Sequence, residues 1–227
     1  MPKEPANKRV TLIMPRADMP LSHFHAHWSG PHAAIARDLP GLVWYVQNHV
    51  MRQLWCAPGQ VRDVHGIAEI AFRDPGALRN TIESWVRLDE LREDENRFVG
   101  GRIGNWSRLV DGPPELSQRR IIVLLSRPDG ATDPIPVEKI SAAVEVIGAV
   151  VPCHAEETAN EPPEPGDAAG PEWFIFAELP LAQNFDELSS PEGPILRHLD
   201  GVGASTAAYL VYSEAKVLPA DVPEDSA

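Results

Sequence analysis

Apolar and polar positions alternate along this chain in short strand-like stretches separated by stretches of helical period. Residues 9–16 (RVTLIMPR) read as a strand. Pro20 opens a helix that runs to about residue 39, with Ser22 as a possible N-cap. Along it Phe24, Trp28, Ile35 and Leu39 form one apolar stripe. Pro40-Gly41 stops it, and residues 42 to about 54 alternate and are rich in aromatic and β-branched side chains, as in a strand. Residues 64–72 (VHGIAEIAF) read as the next strand. Asp74-Pro75 make an N-cap and N1 pair for a helix reaching toward Phe98. Gly100-Gly101 stop it, and residues 102–110 read as a further strand.

The second half repeats this order more weakly. Residues 119–127 (RRIIVLLSR) match the first strand, and residues 137–151 form a helical pattern behind Pro134 and Pro136. Residues 156–171 are rich in Pro, Glu and Gly and read as a linker. Residues 172–179 (EWFIFAEL) align with VHGIAEIAF, placing Ala68-Glu69 opposite Ala177-Glu178. A helix over 182–199 and a strand over 205–218 complete the half, before an acidic tail. The counterpart of the 42–54 strand is either 149–154 or lost. The pattern is an imperfect duplication with a period of about 110 residues. A βαββαβ unit is ferredoxin-like, with helices on one sheet face only, so its other face must be buried. Two units can stack those faces into a barrel. The expected fold class is therefore α+β: two ferredoxin-like repeats forming an intrachain pseudo-dimeric α/β barrel. The boundaries read as 1–115 for a first repeat carrying the pocket, 116–218 for a degenerate second repeat, and 219–227 for the tail.

Charge sharpens the division. The net charge is −13, yet residues 1–115 hold 14 Lys+Arg and 14 Asp+Glu, whereas residues 116–227 hold 6 and 19. Neither half offers the basic face that nucleic acid requires. Two cysteines fit a reducing compartment rather than a disulfide framework. The N-terminal residues lack the apolar run of a signal peptide, and no apolar run reaches the roughly 18–20 residues of a membrane span. The expectation is a cytoplasmic protein with a small-molecule substrate, no nucleic-acid or membrane partner, and a homodimeric state.

The densest chemistry lies at 22–48, where His23, His25, His27 and His32 fall within ten residues around Trp28. Histidine titrates nearest neutrality, so the cluster points to proton transfer or a metal. Gly30-Pro31-His32, the Leu39-Pro40-Gly41 stop and Tyr45-x-Gln47-Asn48 resemble the EthD domain family. So do Asp63-x-x-Gly66-Ile67-Ala68-Glu69 with Phe72, and Asp94-x3-Phe98. The resemblance covers residues 9–112. It implies the dimeric α/β-barrel superfamily, which includes cofactor-free monooxygenases, polyketide cyclases and muconolactone isomerases, and it singles out His32 as a residue at the cavity mouth.

At 3.6 residues per turn His25 and His32 share one helix face, and His23 and His27 another. His32 reads as a general acid or base, or else as a residue bonding loop backbone beside Gly30-Pro31. His23 and His27 form an i, i+4 pair that could hold a metal with His65 as third ligand, but no carboxylate at a telling spacing accompanies them. The expectation is no metal and no cofactor. Tyr45 and Gln47 share one strand face, and Trp44, Val46 and Asn48 the other. A phenol beside an imidazole can polarise a carbonyl, so the expected catalytic set is His32, Tyr45 and His65. His25, Trp28, Asn48, Glu69 and Phe98 are the expected substrate-binding residues, with His65 and Glu69 facing the cavity if the more apolar strand face packs on the helices. Asp94 could bond the histidines of the first helix. Cys56 is a buried thiol or a nucleophile, and Arg16, Arg52 and Arg102 are candidate carboxylate clamps. No GxGxxG, P-loop, GxSxG or CxxC motif occurs, so nucleotide, flavin and serine-triad chemistry lack support. The leading expectation is a cofactor-independent isomerase or lyase acting on a small unsaturated acid or lactone from aromatic catabolism. Alternatives are a cofactor-free monooxygenase on a phenol or quinol, and a non-catalytic small-molecule binding protein.

Overall fold

A computed structural model of the chain describes residues 8–57, 63–74, 84–107, 116–127, 133–158, 170–180, 185–188 and 205–218, with single positions between 190 and 202. Eight strands form one antiparallel sheet: β1 (Lys8–Pro15), β2 (Leu42–Cys56), β3 (Gly66–Phe72), β4 (Val99–Ser107), β5 (Arg119–Ser126), β6 (Cys153–Glu157), β7 (Trp173–Glu178) and β8 (Ser205–Val217). Their spatial order is β4-β1-β3-β2-β8-β5-β7-β6. Within residues 8–107 the order is β4-β1-β3-β2, within 119–217 it is β8-β5-β7-β6, and the long β2–β8 ladder joins them. A bridge between Ser107 and Thr158 connects the outer strands, so the sheet curls until its edges meet.

Between β1 and β2 the chain runs through α1 (Leu21–His27), one π-helical turn (Trp28–His32) and α2 (Ala33–Ala36). Pro20, not Ser22, occupies the N-cap position, and its missing N–H costs nothing there. The π turn carries Pro31 in its interior. Proline cannot donate to the carbonyl four residues back, and the ladder relaxes to the wider spacing. Gly41, at φ +73°, supplies the left-handed residue that stops this segment and turns it into β2. The segment α3 (Leu88–Phe98) runs directly into β4, so strand begins at Val99 and absorbs the two glycines expected as a stop. The first part of the helix expected after Asp74, over 75–83, lies outside the described residues, as does most of the expected 182–199 helix, of which α5 (Phe185–Leu188) is described. In the second half α4 (Val137–Gly148) is shorter than expected. The missing strand is β6, which takes Glu156 and Glu157 from the expected linker.

The core divides by sheet face. Inside the curl, Val10, Leu12, Ile67, Ile103, Ile122, Phe174, Phe176, Tyr209 and Val211 from both halves pack together. Outside it, Ile121, Val123 and Leu125 pack under α4 on Ile140, Ala143 and Ile147. In the first half Phe24, Trp28, Ile13 and Phe98 close the helix–sheet contact. Trp28 lies flat over Gly66, where a Cβ would come within 2.7 Å of its ring.

Candidate active site

Strand β2 sends its side chains alternately to the two faces, and the two sets meet different surroundings. Asn48 and Glu69 belong to the interior of the curl. Glu69 is paired with Lys8 at 2.7 Å and Arg120 at 2.5 Å, Arg120 also holds Glu178 at 2.7 Å, and Lys8 holds Glu156 at 2.5 Å. Asn48 donates to Glu69 and to the Ile67 carbonyl, both at 2.8 Å, and accepts from Ser213 at 2.7 Å and Arg120 at 3.2 Å. All are buried. Although burial penalises their charge, Arg120 and Lys8 hold the Glu69 carboxyl far below the usual range, and Lys8 does the same to Glu156. In Glu178 burial prevails over Arg120 and the carboxyl is raised. These residues knit the halves together across the curl. Asn48 and Glu69 thus belong to an interior ion network, on the sheet face opposite the apolar cavity.

That cavity, of about 100 Å³, lies between the sheet and the helices of the first half. Trp28, Ile13, Leu39, Ala68, Ile70, Leu91 and Phe98 give it apolar walls; His32 and Tyr45 open onto it, with Arg9, Glu95 and Arg102 at its polar side. His32 is buried at 7 % exposure, and its ring sits edge-on to Phe98 at 4.9 Å. Its Nδ1–H donates to Asp94 Oδ2 at 3.0 Å, while His27 Nε2–H donates to Asp94 Oδ1 at 2.8 Å. A carboxylate only accepts, so Asp94 fixes the proton on Nδ1 and leaves the Nε2 lone pair for chemistry. Burial holds the His32 imidazole below its ordinary value against the opposing pull of Asp94, so the ring is neutral at pH 7.

Tyr45 is fully enclosed, and burial raises its phenol so that it stays protonated. Gln47 Nε2 donates to the Tyr45 hydroxyl at 2.6 Å and to the Trp28 carbonyl at 2.7 Å. The carbonyl needs a donor, which fixes the amide's orientation. With its acceptor role filled by Gln47, Tyr45 keeps its own O–H as a donor. The cavity thus presents a neutral imidazole base and a phenol donor on a mostly apolar wall.

Of the expected site residues, His32, Tyr45, Trp28 and Phe98 are brought together, and Asp94 joins them. His25 and His65 are not part of this cavity. His25 instead pairs Nδ1 to Nδ1 with His49 at 2.9 Å, the His49 ring lies tilted beside Trp28 at 4.7 Å, and burial lowers His49 to about 4. His65 stands off the end of β3, half-exposed, and its charge is felt at His25. The pairing of His25 with His32 on one face fails because the π turn changes the period: residues five apart now align, which is why His27 and His32 share Asp94. Strand parity puts Gln47 on the face of Tyr45, but its bond to the Trp28 carbonyl of the π turn has no signal in the sequence. Of the three candidate arginine clamps, Arg102 borders the cavity, and Arg16 pairs with Asp18 in solvent. Among the described residues no group of three or more His, Cys, Asp or Glu side chains is arranged to hold a metal, and no helix is long and apolar enough to cross a membrane.

Fold and site together define an α/β barrel-like protein with a buried His–Asp pair on the helix side of its sheet. The family model of the EthD domain matches residues 16–102. Solved structures share the fold at low identity. Two are named "putative monooxygenase": one from Lactobacillus acidophilus NCFM (TM-score 0.54, 13 % identity, 95 % of this chain and 97 % of that one) and one from Fusobacterium nucleatum subsp. nucleatum ATCC 25586 (0.53, 10 %, 92 % and 94 %). A third is an anthrone oxidase-like protein (0.52, 10 %, 95 % and 96 %). No curated protein matches the sequence.

Proposed function

We propose that the chain is a cofactor-independent isomerase or lyase that moves a proton on a small unsaturated carboxylic acid or lactone. The observation that carries this reading is His32, tied at Nδ1 to Asp94 and opening onto the same cavity as Tyr45. His32 Nε2 takes a proton from carbon next to, or conjugated with, a carbonyl. The Tyr45 hydroxyl donates to the developing enolate oxygen, and Asp94 stabilises the imidazolium. The imidazolium then returns the proton to another carbon of the conjugated system, which completes an isomerisation with no net change in charge. At the polar side Arg102 is paired with Glu95 at 3.2 Å, and Arg9 beside them adds a second cation to one carboxylate, which favours an anionic substrate. A cavity of about 100 Å³ is smaller than the void of about 150 Å³ that accepts benzene, which favours a small substrate over a polycyclic one.

The names of the fold neighbours favour a second reading. In it the same base generates a phenolate or enolate that reacts with molecular oxygen, giving a cofactor-free monooxygenase. The two share their first step and part at oxygen. Proton NMR of EDTA-treated protein with muconates, muconolactones and methoxylated ring-cleavage acids, run with and without air, separates them. Rearrangement in both atmospheres supports the isomerase, and product only in air supports the oxygenase. No conversion under either condition would sink both for these substrates.

The finer architecture is also a proposal: a tandem of two βαββαβ repeats, at 1–115 and 116–218, of which the second lost its pocket. The identical strand order in the two halves supports it. A homodimer of such chains is the expected assembly, measurable by sedimentation.

A further inference from the structure

The turn that carries His32 is held from outside its own helix. Pro31 has no N–H to offer the His27 carbonyl four residues back, and side chains from the sheet bind two further carbonyls of the turn. Gln47 on β2 satisfies Trp28, as described above. Ser29 is satisfied from the last strand of the chain. Lys216 Nζ donates to the Ser29 carbonyl at 2.9 Å and contacts its hydroxyl at 3.1 Å. The Ser29 hydroxyl donates to Glu214 Oε2 at 2.6 Å, and Lys216 closes the loop onto the same carboxylate at 2.5 Å. Both residues lie on β8, 185 and 187 positions from Ser29. The lysine side chain is 13 % exposed and the glutamate 29 %, so the contact is partly desolvated. Ser29 is three residues before His32, inside the same turn.

We propose that Lys216 and Glu214 are positioning residues for His32: they clamp the π turn in the register that aims its imidazole at Asp94 and the cavity. The second half then contributes to the candidate site rather than only completing the sheet. The inference rests on reading His32 as the working base, but its test needs no substrate. If the turn relaxed to ordinary helical spacing, His27 and His32 could no longer share Asp94, and the fixed tautomer would be lost.

The test is nitrogen-15 NMR of the histidine rings in the full chain, comparing wild type with Lys216→Met, Lys216→Arg and Glu214→Gln. Asp94→Asn serves as the reference for a lost dyad, and His154, inside the curl beside Glu156, as an internal control. The groups facing His32 are Asp94 and His27, with Arg9, Glu95, Arg102 and Tyr45 around the cavity, and none is altered in the clamp variants. In Lys216→Met the His32 resonances should lose the pure Nδ1–H pattern, and the midpoint should fall in the same sense as in Asp94→Asn, because the raising pull of Asp94 is lost while burial still lowers the ring. Lys216→Arg should restore both, and Glu214→Gln should give a smaller change in the same sense. An unchanged His32 in Lys216→Met would overturn the proposal. So would equal disturbance of His32 and His154, which marks general loosening. Absence of turnover on every substrate would count against the proposed reaction while leaving this result readable.

Discussion

Two faces of one strand do different work. Val46 and Asn48 point into the curl, where Asn48 joins a network of Lys8, Glu69, Arg120, Glu156 and Glu178. Tyr45 and Gln47, their immediate neighbours, point under the helices, where they meet Trp28 and the His32–Asp94 pair. The inner face pairs its charged groups with one another across the two halves. The outer face leaves an imidazole and a phenol addressed to a cavity. Burial alone does not distinguish a reactive group from a structural one, since both sets are buried. What differs is whether the partners exhaust the group's bonding capacity.

The strongest way to break that comparison is on the inner face. Arg120→Met leaves Glu69 and Glu178 facing each other with one cation fewer, and should cost about 3–5 kcal/mol in urea unfolding. Amide shifts around His32 should change little. Next is the outer face: Asp94→Asn should lower turnover about 10²–10⁴-fold, the usual worth of general acid–base catalysis, while moving the urea midpoint less than Arg120→Met. Gly66→Ala pushes on the Trp28 ring from beneath and should cost about 1–3 kcal/mol, with Trp28 fluorescence shifted.

Acid sharpens the picture further. The Glu69 and Glu156 carboxyls are depressed in the folded protein, so their contribution is present above the unfolded value near 4.3 and is lost as pH falls through the folded values. Glu178, raised, works in the opposite sense. The expected net result is declining stability in urea titrations below about pH 4. The smallest effect is kinetic. Because burial lowers the His32 value from 6.5, the rate should be flat through neutrality and fall only in acid, as the base is protonated.

Much of this was legible in the sequence. Strand alternation placed Tyr45 with Gln47 and Val46 with Asn48, and the apolar run of Gly66, Ala68, Ile70 and Phe72 marked the helix-packed face correctly. Ala68-Glu69 and Ala177-Glu178 stand at similar places in the sequence, but that their glutamates meet at Arg120 has no signal there. Three things were not legible. Strand alternation leaves open which sheet face lines the cavity, and nothing local reveals that charged residues from both halves fill the inside of the curl. The histidine register was misjudged because 3.6 residues per turn was carried through Pro31. A proline inside an otherwise helical pattern was the available signal, and it marks the place where period five takes over. The clamp on Ser29 could not be foreseen, since its partners come from the other end of the chain.

The most direct test of the account is deuterium incorporation from heavy water into a muconolactone, followed by NMR with wild type, His32→Gln and Asn48→Ala. The account predicts carbon–hydrogen exchange in wild type, its loss in His32→Gln, and its retention in folded Asn48→Ala. Exchange that survives in His32→Gln, or disappears in folded Asn48→Ala, would place the chemistry inside the curl and contradict the account.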